Sequence, residues 1–172
     1  VKERVKIIDQ PKVSVKESIK SLSKNRPWKI FALNAMFMWT ANFLENGSLI
    51  YYYSYNVGDK TLVSKIATII SIVPIIVNFS VPILAKKLGK RNLFVIASII
   101  EVFGLIVVLI GSINRLIIIT GAFIIGAGQG IKNSIYFSIQ ADPIDYGEWK
   151  TGINTAGIMS SVNGFIGKCS QA

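Results

Sequence analysis

Long apolar runs separated by short polar segments set the pattern of this chain: Trp28 to Tyr55, Leu62 to Ala85, Leu93 to Ile113, Leu116 to Ile139, and Ile153 to the end. A helix needs ~20 mainly apolar residues to cross a bilayer. The pattern therefore predicts an all-α integral membrane bundle, with spans at about 28–55, 62–85, 93–113, 116–139 and 153–172. Residues 1–27 precede the first span. There Val15, Ile19 and Leu22 recur at i, i+4 and i+7 among Lys16, Glu17, Lys20 and Lys24. This spacing suits a helix with one apolar and one basic face lying on the inner membrane surface, or a basic linker of weak helical tendency. Pro27 and Trp28 mark a helix start at the interface.

Composition agrees that lipid is the solvent. Hydrophobic residues make up 51% of the 172 and charged residues only 16%, against ~25% in a soluble domain, and the mean hydropathy is +0.51. A net charge of +10 would fit a nucleic-acid binder only if the basic residues shared one water-facing surface. Here they mark span boundaries instead, so no nucleic-acid partner is expected. Lys2, Arg4, Lys6, Lys12, Lys16, Lys20, Lys24, Arg26 and Lys29 lead into the first span, and Lys86, Lys87, Lys90 and Arg91 form the connector after the second. Lys150 follows the fourth span, whereas the opposite side holds Lys60, Lys65 and Arg115. By the positive-inside rule the amino terminus, that connector and the segment after span four are cytoplasmic. Cys169 is the only cysteine and there is no His, so an intrachain disulfide and a His/Cys metal site are excluded. The chain starts at Val1 and stops inside an apolar run, so it is expected to be part of a longer polypeptide. A cleavable leader is not expected, because the first run is too long for one.

Charges inside the spans are the first candidates for function, since each costs at least ~2.5 kcal/mol unless it has a partner, water or a proton. Glu101 lies ~15 Å beyond Arg91, near the middle of the bilayer, and Glu45 lies ~24 Å beyond Lys29, in its outer half. Lys132 is ~15 Å from Asp142, and Lys168 is ~15 to 22 Å deep in the last span. For Glu45, Glu101 and Lys132 a paired packing role and a polar central pathway both remain open. Pro74 and Pro82, with Asn78 between them, predict kinks in the second span. Gly126-Ala127-Gly128-Gln129-Gly130 lacks the spacing and context of a nucleotide loop. Gly126 and Gly130 form a Gly-x-x-x-Gly face for close helix packing.

The segment Ala141-Asp142-Pro143-Ile144-Asp145-Tyr146-Gly147-Glu148-Trp149-Lys150-Thr151-Gly152 packs three carboxylates, two aromatics and a Lys between two apolar runs. It reads as a charged loop, with Asp142 capping a short helix, Pro143 at its first position and Asp145 in its first turn. That leaves Tyr146 to Lys150 without a role. Asp-x-x-Asp-Tyr-Gly-Glu-(aromatic)-Lys after a glycine-rich helix resembles the loop between helices ten and eleven of the glycoside-pentoside-hexuronide:cation symporters, the melibiose-carrier-like branch of the major facilitator superfamily. Ile50 to Asp59, with its four tyrosines, is similar to the outer end of their seventh helix, although an interfacial aromatic belt also explains it. Gly167-Lys168-Cys169-Ser170 resembles the Lys-Gly-rich patch of their eleventh helix, and the basic Lys86 to Arg91 turn their short cytoplasmic loops. Asn154 departs from the pattern, which usually has Arg there.

The resemblance implies a major-facilitator-type fold with helices seven to eleven of twelve in this chain, the amino-terminal half being a missing partner. It implies cation-coupled (Na⁺ or H⁺) symport of a glycoside, pentoside or hexuronide by alternating access in the cell membrane. Asp142, Asp145, Tyr146, Gly147, Glu148 and Lys150 would then serve the cytoplasmic gate by pairing with the other half. Lys168, with Glu45, Glu101 and Lys132, would belong to the cation and sugar pathway. No catalytic residue, metal or cofactor is expected beyond the coupling ion, held mainly by the missing half. An integral membrane enzyme using the interfacial carboxylates and a structural membrane subunit are the alternatives.

Overall fold

A computed structural model of the chain describes residues 14–58, 60–111 and 114–171. Asp59, the basic leader before Ser14 and the end of the third predicted span lie outside them. Among the described residues every regular element is a helix. Helix α1 covers Val15–Lys24, and the Ser14 backbone N–H, just before it, donates to the Glu17 carboxylate at 3.3 Å. Asn25 both ends α1 and caps α2, Arg26–Tyr51, by accepting the Trp28 backbone N–H at 3.0 Å. A π-helical stretch, Tyr52–Val57, prolongs α2 and ends at Gly58, whose φ of 68° suits a residue without Cβ.

The second predicted span is two helices, α3 (Lys60–Asn78) and α4 (Val81–Leu88). Pro82 has no N–H for the Asn78 carbonyl and its ring clashes there, so the helix opens one turn earlier at Phe79 and Ser80. Gly89, at φ 78°, is all that separates α4 from α5, Lys90–Gly111. Helix α6 runs from Arg115 to Thr151 without interruption, 37 residues or ~55 Å, far beyond the ~30 Å hydrocarbon layer. It stops at Gly152, φ 67°, and α7 follows as Ala156–Cys169.

Helices α5 and α6 form an antiparallel hairpin whose seam is built from small residues. A Cβ on Gly128 would stand 2.8 Å from the Ala97 carbonyl oxygen and 2.8 Å from the Glu101 nitrogen, and one on Gly121 would stand 3.1 Å from the Gly104 carbonyl. The other face of α6 receives α3: a Cβ on Gly130 would lie 2.7 Å from Pro74 Cα, and one on Gly126 3.2 Å from Val73 Cβ. The Gly-x-x-x-Gly face thus performs the close packing expected of it. Phe31, Ala35 and Met38 of α2 pack on Tyr136 of α6, and the Ser170 hydroxyl at the end of α7 donates to the Met36 carbonyl of α2 at 3.3 Å.

The exterior is apolar. Phe37, Leu44, Ile75, Phe79, Ile99, Leu109, Phe123 and Phe165 are all exposed, more apolar surface than a water-soluble fold tolerates. Thr61–Asn78, Lys90–Gly111 and Arg115–Thr151 are long and apolar enough to cross a membrane. Helix α2 is long enough but carries Asn34, Asn42, Glu45 and Asn46, and α7, with 14 residues, is shorter than a span. Two further expectations change. Tyr53 is a core residue with Leu62, Ile66 and Val108, while Tyr51 and Tyr55 stack on the outside at 6.1 Å, so the tyrosines do not act as one belt. On α1, Ser18, Ser21 and Leu22 are buried and Ile19 is exposed, so the helix packs on protein through its serine face.

Candidate functional site

The polar segment after the fourth run is not a loop. Residues 141–151 are the last three turns of α6, with Pro143 inside the helix, so Asp142 caps nothing. The chain reverses only at Gly152, because the turn demands a positive φ and the acidic residues do not. Asp142 pairs with Lys90 of α5 at 2.6 Å, and Lys90 also donates to the Ser138 carbonyl at 3.2 Å. Within this chain the partner of this carboxylate is the basic connector between α4 and α5. The side chains are 41% and 55% exposed, which limits the pair to about 1 kcal/mol or less. Asp142 and Tyr146 line a cleft of about 660 Å³ with Pro27, Asn34, Lys90 and Phe94. Lys150 sits 5.7 Å from the Tyr146 ring centre, and Trp149 points outward, 82% exposed. Asp145 is exposed. Glu148 accepts from the Asn154 amide at 3.2 Å, so Asn154 still meets the acidic segment, through a neutral hydrogen bond.

Gly147 owes its place to packing. The buried Asn25 side chain donates to the Pro143 carbonyl at 2.8 Å, and a Cβ on Gly147 would stand 2.8 Å from that same amide nitrogen. One turn later the Thr151 hydroxyl donates to the Gly147 carbonyl at 2.8 Å and accepts from Ser21 at 3.1 Å. The α1–α2 junction is thereby keyed into the inner end of α6. The sequence marked the helix start at Pro27 and Trp28 but carried no sign of this bond from Asn25. Asn25→Ala should cost about 1 to 3 kcal/mol, the range for orphaning a buried polar group, read as a lower melting temperature of the full-length protein in detergent.

Deeper in the bundle, Glu101 of α5 and Lys132 of α6 form a buried ion pair. The close approach at Gly128 makes it possible: α6 lies against the Glu101 backbone there, and Lys132, one turn along on the same face of α6, reaches back to the Glu101 carboxylate. Glu45 of α2 joins them, its carboxyl in reach of Glu101 and Gln129 and in electrostatic range of Lys132. The structure thus brings together three of the four intramembrane charges. Lys168 stands apart, exposed at the edge of a smaller cleft of about 250 Å³ between α2, α6 and α7, lined by Trp39, Tyr136, Gln140, Ser160 and Asn163. Tyr136 meets Trp39 edge-on at 5.8 Å and Phe31 at 5.1 Å. Asn163 is buried, yet neither its amide nitrogen nor its oxygen has a hydrogen-bond partner. Trp39, Tyr136 and Asn163 went unnoticed in the sequence, where each is an ordinary residue of an apolar run.

Known proteins resemble the chain along nearly its whole length. It is 31% identical to the isoprimeverose transporter of Lactiplantibacillus pentosus over 97% of this chain and 35% of that protein. It is 27% identical to the glucuronide carrier protein homolog of Escherichia coli (strain K12), over 98% of this chain and 37% of that one. With the lactose permease of Lactobacillus delbrueckii subsp. bulgaricus it shares 26% identity over 94% of this chain and 27% of that one. The chain spans about a third of the length of such relatives, which are transporters and not enzymes. The family described as MFS/sugar transport protein matches residues 1–172. An apolar exterior, a glycine-seamed hairpin and charges gathered inside suit that family, and the chain belongs to it.

Proposed function

We propose that the chain forms the central cytoplasmic segment (1–27) and helices seven to eleven (28–172) of a cation-coupled symporter in the cell membrane. Its cargo is a glycoside, pentoside or hexuronide, its driving ion Na⁺ or H⁺, and an amino-terminal half completes the path. Relatives named for isoprimeverose, glucuronide and lactose support a sugar cargo. The observation that carries the reading is the cleft holding Trp39, Tyr136, Gln140, Asn163 and Lys168. Sugars offer an apolar ring face and a rim of hydroxyls, and the cleft offers aromatic rings, an ammonium and a buried amide with both its atoms free to bond.

The inner end of α6 acts in this reading as the gate, with Asp142, Asp145, Tyr146, Gly147, Glu148 and Lys150 on the cytoplasmic side. The Lys90–Asp142 pair is weak and surface-exposed, so it can form in one state and open in another at small cost. Alternating access needs such differential contacts between states. Uptake of labelled isoprimeverose, a glucuronide and lactose by cells making the full-length protein tests the function. Accumulation of one of them that stops when the sodium or proton gradient is collapsed is expected. Failure to take up any of the three, with the protein present in the membrane, would remove the support for a sugar cargo. Asn163→Ala should raise KM for the transported sugar roughly tenfold, the value of one hydrogen bond at about 1.4 kcal/mol, while protein abundance is unchanged.

A further inference from the structure

The buried charges of the bundle do not balance. Glu45 and Glu101 bring two carboxyls to one place, and Lys132 brings a single ammonium. Lys132 bonds one oxygen of Glu101. The second oxygen of Glu101 and the Oε1 of Glu45 are both buried without a hydrogen-bond donor. Two neighbouring polar side chains add to the shortage. The Gln129 amide faces Glu45 from a site more than nine-tenths buried, but its nitrogen stands outside ordinary hydrogen-bond geometry. The Tyr53 hydroxyl, on a ring just as deeply buried, lies in electrostatic range of Glu45 and has no hydrogen-bond partner. Helix α3 meets α6 at this level through Val73 and Pro74, which carry no charge.

Two ionised carboxylates side by side in a low-dielectric interior repel one another, and a net buried charge is costly. One added positive charge removes both penalties. A metal cation would need several oxygen ligands, whereas this site already presents an ammonium and an amide N–H₂, which repel it. A proton needs only the two carboxyl oxygens. We propose that Glu45 and Glu101 form a proton-binding site, one proton bridging the two carboxyls beside the Lys132 ammonium. Binding forms one O–H bond to a carboxylate oxygen, and release returns the proton to water. Glu45 also lines a mainly apolar cleft of about 570 Å³ at the tyrosine end of α2, where Ser48, Tyr52 and Asn56 stand among Leu44, Leu49 and Leu105, so the pair opens toward that end of the bundle. The site rests on the carrier reading for its purpose in transport, but not for its geometry.

Infrared difference spectra of the full-length protein in detergent, at neutral pH, test this through the carbonyl stretch of a protonated carboxylic acid. Glu45→Gln and Glu101→Gln should each abolish one such band, because a lone carboxylate is then balanced by Lys132. Lys132→Met should strengthen the band, since a second proton is needed. If a single substitution prevents folding, the neutral triple variant Glu45→Gln, Glu101→Gln, Lys132→Met replaces it and should lack the band. A spectrum that Glu45→Gln and Glu101→Gln leave unchanged overturns the proposal. So does a band that disappears when sodium chloride replaces potassium chloride at constant pH, which would assign the pair to a metal ion. Because no substrate is added, an unchanged spectrum with sugar uptake intact removes the proton site alone. Failed uptake with the band present removes the sugar-carrier reading alone.

Discussion

Lys132→Met is expected to be among the most destabilising single substitutions in the described part of the chain. It leaves Glu101 buried, with the half-buried Glu45 beside it and no counter-charge, and breaking a buried pair from one side costs about 3 kcal/mol or more. The apparent melting temperature of the full-length protein in detergent should fall accordingly. Adding Glu101→Gln to the same chain should recover much of the loss, because the buried carboxyl is then neutral and only the half-buried Glu45 remains. Recovery by the second substitution separates an electrostatic penalty from simple loss of packing. If the double variant melts no higher than Lys132→Met alone, the Lys132 stem matters for its volume and the ion pair does not hold α5 to α6.

Gly128→Val is expected to match it by another route. Even the first carbon of the new side chain would stand 2.8 Å from two backbone atoms of α5 and 2.9 Å from Glu101 Cβ, and backbone cannot turn aside as a flexible side chain can. The hairpin must widen, which costs about 3 kcal/mol by overpacking and also pulls Lys132 away from Glu101. Gly157→Ala is the control: it adds a methyl group to α7 where nothing lies within 4 Å, and it should leave the stability within about 0.5 kcal/mol of the parent. Should both substitutions leave the protein equally stable, the α5–α6 seam is looser than its glycines imply.

Much of this architecture was written in local pattern. Apolar runs of bilayer length, the absence of strand signals and the Gly126/Gly130 face all point to packed membrane helices, because burial in lipid forces each segment to satisfy its own backbone. Chain ends of helices were harder. Pro82 broke the second run where its missing N–H predicts, yet Pro143 sits inside α6. The acidic, aromatic stretch around it read as a loop because polar residues usually leave a helix at the membrane surface. Here the helix simply continues beyond the bilayer, and the side chains that looked like turn formers instead dock α1 and α2.

The sequence by itself determined the solvent, the helical class, the family signature in residues 141–152 and the presence of costly charges, since each depends on composition or spacing along one chain. Only the tertiary structure decided who meets whom: that Lys132 reaches Glu101 and not Asp142, that Asp142 takes Lys90, that Asn25 crosses to Pro143, and that Lys168 stays apart. Asn25 and Pro143, for one, stand 118 positions apart. Such pairings are fixed by how closely helices approach, which depends on glycines facing a partner that no single run of residues identifies.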